Sequence, residues 1–154
     1  MLVKDIEAPG RSLTTGFFGT QYLFETLSAN GLASLAGDVA THEGFPGYFH
    51  MMDCGATTLW EHWIEKECLN VHSNCHPMFG SVEQWMMRYL LGICVTEDAV
   101  GCDKVRIVPH AVAGVTSTSG WLDTPKGRIS VSWRLKNGKM LIEKDIPVGI
   151  TVVD

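Results

Sequence analysis

Positive charge is scarce in this chain. Lysine and arginine number 12 against 17 aspartates and glutamates in 154 residues, a formal net charge of −5. No basic stripe is present to neutralise phosphates, so nucleic acid is set aside as a partner. No apolar run approaches the roughly 18 residues of a membrane-spanning helix, and no membrane partner is expected. Residues Met1 to Gly10 carry Asp5 and Glu7 where a secretory leader needs an apolar stretch. Cysteine is odd in number and irregular in spacing: Cys54, Cys68, Cys75, Cys94 and Cys102. Without a leader these read as reduced thiols, which favours the cytoplasm. G-x-G-x-x-G, the P-loop and G-x-S-x-G are all missing, so no cofactor is expected and no nucleophile elbow is available. His42-Glu43 and Glu61-His62 lack the H-E-x-x-H spacing of a metalloprotease helix. Internal repeats and low-complexity stretches are missing too.

What is present is a globular composition, 45% hydrophobic and 19% charged. A compact chain of this length buries roughly two thirds of its unfolded surface, enough for a real core. The texture changes near residue 100: the apolar pattern is helical before it and alternates after it. Helices are predicted over 17–30, ended by Asn30-Gly31, over 32–43, ended by Gly44 and Pro46, and over 79–94. A further helix is expected to start at Thr57 or Thr58 as N-cap, with Glu61 in its first turn, and 44–56 reads as loop or extended chain. Beyond about 102 the chain is predicted to be antiparallel β. Ile129, Val131, Trp133 and Leu135 alternate with polar residues, and Asn137-Gly138 marks a hairpin into Met140–Ile146. Val105–Val108 and Gly149–Val153 supply further strands. The fold class is α+β, with helices followed by an antiparallel β-sandwich layer.

Residues 48–80 hold the densest mixture of polar and aromatic side chains. Glu61 lies between Trp60 and Trp63. Flat indoles stack on pyranose faces and a carboxylate can activate water, so this pattern fits a sugar site. It equally fits two core tryptophans beside a helix N-terminus stabilised by Glu61. Cys68, His72, Cys75 and His76 have zinc-ligand chemistry. Adjacent Cys75 and His76 suit one tetrahedral centre poorly, and no bound metal is expected.

Four blocks then stand out together. Thr14-Thr15-Gly16-Phe17-Phe18-Gly19-Thr20 precedes Tyr22-Leu23. Gly55-Ala56-Thr57-Thr58-Leu59-Trp60-Glu61-His62-Trp63 follows, then His76-Pro77-Met78-Phe79-Gly80-Ser81, then Thr124-Pro125-Lys126-Gly127-Arg128-Ile129-Ser130-Val131-Ser132-Trp133. In this order they resemble the C-terminal part of bacterial α-L-rhamnosidases, glycoside hydrolase family 78, over nearly the whole chain.

The resemblance implies an (α/α)6 barrel flanked by β-sandwich modules. Residues 1–100 would be part of the catalytic barrel and 101–154 the C-terminal sandwich domain. It implies inverting hydrolysis of terminal α-L-rhamnosides, so the substrate is a rhamnose-containing glycoside. By motif match Glu61 is the general base and His76 touches the sugar hydroxyls, with Trp60 and Trp63 in the substrate-binding set. The two carboxyls of such a site stand roughly 6.5–9.5 Å apart. His62 stands where the family often has Arg, and Cys75 where it usually has Asn, with Asn74 one place earlier. The family's general acid lies in the first half of the barrel and has no counterpart here; Asp53 and Glu25 come nearest but lie in no matching motif. The chain therefore reads as a C-terminal fragment, inactive alone, whose partner is the missing half of the barrel or a second copy. A non-catalytic carbohydrate- or partner-binding module is the alternative. In a partial barrel, Phe17, Phe18, Trp60, Trp63 and Trp85 are expected to leave an exposed apolar patch.

Overall fold

The computed structural model describes residues 2–63 and 73–153. The chain forms two compact units, Met1–Glu83 and Gln84–Asp154. No helix among the described residues is long and apolar enough to cross a membrane.

The first unit is helical. Helix α1 spans Leu2–Glu7, α2 Phe17–Ala29, α3 Ala33–Ala40 and α4 Tyr48–Asp53; a 3-10 turn over Pro77–Gly80 leads into α5, Ser81–Trp85. Leu23, Phe24 and Leu27 form the inward stripe of α2, and α3 packs against it through buried Ala36 and Val39. Thr20 is the polar member of that stripe. Its hydroxyl meets the Thr15 hydroxyl at 2.8 Å and the Gly16 carbonyl at 3.0 Å, which satisfies it inside the core.

Helices α1, α2 and α4 all end in Schellman closures. After α2, the Leu32 N–H donates to the Leu27 carbonyl at 2.9 Å and the Gly31 N–H to the Ser28 carbonyl at 3.1 Å. Gly31 takes φ +78° to permit it. After α4 the pattern repeats: Ala56 bonds back to Met51 and Gly55 to Met52, both at 2.9 Å, with Gly55 at φ +80°. The glycine that opens the second sequence block is thus the left-handed residue that ends α4.

Four helical expectations need correction. Residues 32–43 are helical only over Ala33–Ala40. The predicted loop 44–56 contains α4, whose six residues bury only Tyr48 and Met51 and so show no readable period. No helix starts at Thr57 or Thr58 among the described residues. The Thr58 hydroxyl instead donates across to the Asn74 carbonyl, so it caps nothing. The helix expected over 79–94 finishes in a π-helical turn, Met86–Leu90, and Ile93 already belongs to a strand.

Tyr48 offers a pH test of the first unit. Its hydroxyl donates to the Phe79 carbonyl at 2.8 Å, and burial pushes its ionisation well above the ordinary value of 10.0. The folded state therefore holds the phenolic proton more tightly than the unfolded chain. This stabilisation is complete below the unfolded value and is lost as pH rises through and beyond it. Denaturant melts at about pH 9 and about pH 11 should show a loss of stability that Tyr48→Phe abolishes. The same substitution should lower stability at neutral pH by roughly 1–3 kcal/mol, because a buried carbonyl loses its donor. Equal alkaline loss in both chains would disprove the assignment to Tyr48.

The second unit is β. Strands β1 (Ile93–Val95), β2 (Lys104–Ile107) and β6 (Thr151–Val152) form one sheet; β3 (Ser117–Thr124), β4 (Gly127–Lys136) and β5 (Lys139–Asp145) form the other. Ile129, Val131 and Trp133 of β4 alternate inward and are buried, each contributing about 1.5–3 kcal/mol by leaving water. Leu91, Ile93 and Val105 complete the core cluster around Ile129 and Val131. The Asn137-Gly138 hairpin forms as expected, with φ +51° and +72° at its two turn residues between the paired Lys136 and Lys139. Three features depart from expectation. The strands form two three-stranded sheets and not the single antiparallel layer expected beyond about residue 102. The β2–β6 pair is parallel. Strand β3 was missed, since Ser117 to Gly120 carries little hydrophobic signal. Gly120 stands where a Cβ would come within 2.8 Å of the Leu91 side chain, so the strand forgoes a side chain to admit Leu91.

Candidate functional site

The second and third sequence blocks meet in the first unit through backbone pairing. The Glu61 N–H donates to the Ser73 carbonyl at 3.0 Å, and the His76 N–H donates to the Leu59 carbonyl at 2.7 Å. The Ser73 N–H donates to Glu61 Oε2 at 2.9 Å. Segment 59–61 is thus fastened to segment 73–76, and the Glu61 carboxylate is oriented by a backbone donor. No helix starts at Thr57 or Thr58 among the described residues, so Glu61 does not sit in the first turn expected there. Between the two anchor points the 73–76 segment makes its own small turn. The Ser73 hydroxyl donates to the Cys75 carbonyl at 2.9 Å and accepts the Cys75 N–H at 3.1 Å. Cys75 joins this turn through its backbone, and its side chain is exposed. The geometry at the place of the usual Asn is therefore set by the main chain and by Ser73.

The first block supplies the wall. The Trp63 indole N–H donates to the Thr15 carbonyl at 2.7 Å. The Trp63 ring lies 4.0 Å from Phe79 and 5.1 Å from Tyr48, centroid to centroid. Phe17 stands 5.0 Å from the His76 ring and meets Phe79 edge-on at 6.4 Å. His76 is half-buried, and its Nδ1 is buried without a hydrogen-bond partner among the described residues. Glu61 and His62 are half-buried as well.

Both indoles beside Glu61 are buried, Trp60 at 4% and Trp63 at 8% exposure, and Trp85 joins them at 2%. The expected apolar patch is thereby corrected: of its five residues only Phe18 is exposed. Tyr22, one turn along α2, is exposed beside it in sequence. Asp53 is exposed at the end of α4 and Glu25 is half-buried on α2. Of the zinc-type quartet, Cys68 and His72 lie outside the described residues, and only Cys75 and His76 fall within them. Sequence reasoning missed Ser73, Thr15 and Tyr48. Each acts through a backbone group or from a distant segment, and no local pattern marks such a role.

Known proteins resemble this chain in sequence and in fold. Residues 1–90 match the family model of the bacterial alpha-L-rhamnosidase six-hairpin glycosidase domain. Residues 92–153 match that of the bacterial alpha-L-rhamnosidase C-terminal domain. An alpha-L-rhamnosidase of Formosa agariphila is 32% identical over 97% of this chain, which spans 17% of that protein. The solved alpha-L-rhamnosidase of Dictyoglumus thermophilum superposes with a TM-score of 0.89 at 30% identity, over 97% of this chain and 17% of its own. That of Streptomyces avermitilis, solved in complex with L-rhamnose, gives 0.88 at 30% identity, over 97% of this chain and 15% of its own. The chain thus spans less than a fifth of the length of these relatives. It belongs to the bacterial α-L-rhamnosidase family.

Proposed function

We propose that this chain is the part of an inverting α-L-rhamnosidase that carries the general base, Glu61, and a sugar-binding histidine, His76. The observation that supports it is the fastening of segment 59–61 to segment 73–76, which joins the segments that carry these two residues, with the His76 ring beside Phe17. In this reading the carboxylate held by the Ser73 N–H takes a proton from water as that water attacks the anomeric carbon. The departing oxygen is protonated on the other face of the ring by a carboxylic acid from the larger remainder of the barrel. His76 binds sugar hydroxyls. The buried indoles Trp60 and Trp63 complete the proposed substrate-binding set and lower the local dielectric beside the base. The Streptomyces relative binds L-rhamnose, which makes a terminal rhamnoside the proposed substrate. Exposed Phe18 and Tyr22 on α2 suit coverage by further barrel helices or by a second copy.

His76→Ala, in a chain completed with the rest of the barrel, should raise KM for an aryl α-L-rhamnoside about tenfold or more, with a smaller effect on kcat. An unchanged KM in a folded variant would remove His76 from the sugar site. The 154-residue chain alone should turn over no rhamnoside; measurable turnover would overturn the assignment of the acid to the rest of the barrel.

A further inference from the structure

The outward face of the β3–β4–β5 sheet carries polar residues in register around one tryptophan. Trp121, Ser130 and Asp145 lie in a row across the three strands, and Ser119, Ser132 and Glu143 form the next row. Adjacent strands stand about 4.8 Å apart and successive same-face residues about 7 Å apart, so the two rows frame a patch of roughly 10 by 7 Å. These six residues, with Gly120, Val131 and Lys144, line a shallow depression of about 400 Å³. Trp121 is 56% exposed, whereas Trp60, Trp63, Trp85 and Trp133 are all buried. Its ring does not lie free on the surface. The Arg128 guanidinium sits 4.8 Å from the ring centroid and grips the Asp123 carboxylate with two hydrogen bonds of 2.7 and 3.1 Å. The indole is held in place before any ligand arrives, which cuts the ordering cost of binding. Trp121 lines the depression and Arg128 does not.

We infer that this face is a second, non-catalytic site that binds a neutral pyranose, stacked on Trp121 and held by hydroxyl and carboxylate groups of the two rows. The chemistry selects this class. A ring with an apolar face and an equatorial rim of hydroxyls matches an aromatic plate bordered by donors and acceptors. Glu143, whose carboxylate also stands 3.7 Å from the Arg134 guanidinium, and Asp145 accept from vicinal hydroxyls, and the two carboxylates outnumber the one lysine lining the depression, Lys144, which disfavours a uronate. A protein partner would need more apolar area than one indole offers. The inference uses only side chains of the second unit and stands apart from the roles of Glu61 and His76.

The test is a nuclear magnetic resonance titration of the ¹⁵N-labelled chain with methyl α-L-rhamnopyranoside, methyl β-D-glucopyranoside and sodium D-glucuronate. At least one neutral glycoside should move the Trp121 indole N–H resonance and the amides of Ser119, Ser130 and Ser132. Saturation is expected with a dissociation constant on the order of 1–10 mM. The four buried indoles should stay still. Trp121→Ala should weaken binding at least about tenfold, and Trp121→Phe should retain part of it. A chain with His76→Ala should titrate at Trp121 as the unaltered chain does, which separates this site from the catalytic reading. No movement of Trp121 with either neutral glycoside up to about 100 mM would overturn the inference. So would equal or tighter binding of glucuronate, or movement of Trp121 with protein concentration alone, which marks a second copy as the occupant.

Discussion

Glu61→Gln, in a chain completed with the rest of the barrel, is expected to lower kcat on an aryl α-L-rhamnoside by about 10²–10⁴-fold, the range for one positioned acid–base group. Stability should change little. The amide that replaces the carboxylate can still accept the Ser73 N–H through its oxygen, and both backbone bonds that join the segments remain. KM should move less than kcat, because proton removal from water belongs to the transition state. The competing role, a charge stabilising a helix end, is worth only about 0.3–1 kcal/mol and would spare turnover. Turnover within about threefold of the unaltered enzyme, in a folded variant, would refute the base assignment.

Gly92→Ala should abolish or nearly abolish folding of the second unit. Gly92 follows the π-helical turn and takes φ +88°, and a Cβ there would lie 2.3 Å from the Pro109 nitrogen and 2.6 Å from the Val108 carbonyl carbon. The obstacle is backbone and cannot rotate away. It is also tied in place, since the Val108 N–H donates to the Gly92 carbonyl at 2.9 Å. Left-handed backbone alone costs an alanine about 1–2 kcal/mol. With the overlap added, the expected loss is about 4 kcal/mol or more, the range reserved for a broken core or a special backbone site. Gly114 supplies the comparison. It has φ +82° with nothing within 4 Å of the added Cβ, so Gly114→Ala should cost only the conformational part, about 1–2 kcal/mol. Chemical melts followed by near-ultraviolet dichroism separate the two. Gly92→Ala within about 1 kcal/mol of Gly114→Ala would show that the Pro109 backbone yields.

Much of the local architecture was legible because local chemistry controls it. Asn30-Gly31 ended α2, since a glycine past the last turn accepts the left-handed angle a Schellman closure requires. Asn137-Gly138 made the hairpin for the same reason. The alternation of Ile129, Val131 and Trp133 marked β4, because a strand with one buried face must alternate. The order of four sequence blocks identified the family, and the comparisons place the chain in it. These signals are carried by neighbouring residues and survive without tertiary context.

Only the tertiary structure decided what residues 57–63 do. Thr57, Thr58 and Glu61 have the local look of a helix start, yet Leu59 and Glu61 exchange backbone hydrogen bonds with His76 and Ser73. An intrinsic preference of a few tenths of a kcal/mol per residue gives way when such partners are offered from a distant segment. The same reason hides Ser73, which acts on Glu61 through a main-chain N–H that every residue but proline owns. It hides β3 as well: Ser117 to Thr124 becomes a strand because β4 provides the opposite edge, register by register. Trp121 illustrates the division. Composition shows five tryptophans without telling them apart, and the packing buries four and leaves this one exposed. Sequence by itself determined the turns, the alternating strand and the family; which groups converge, and which ring faces solvent, depended on contacts between segments far apart in the chain.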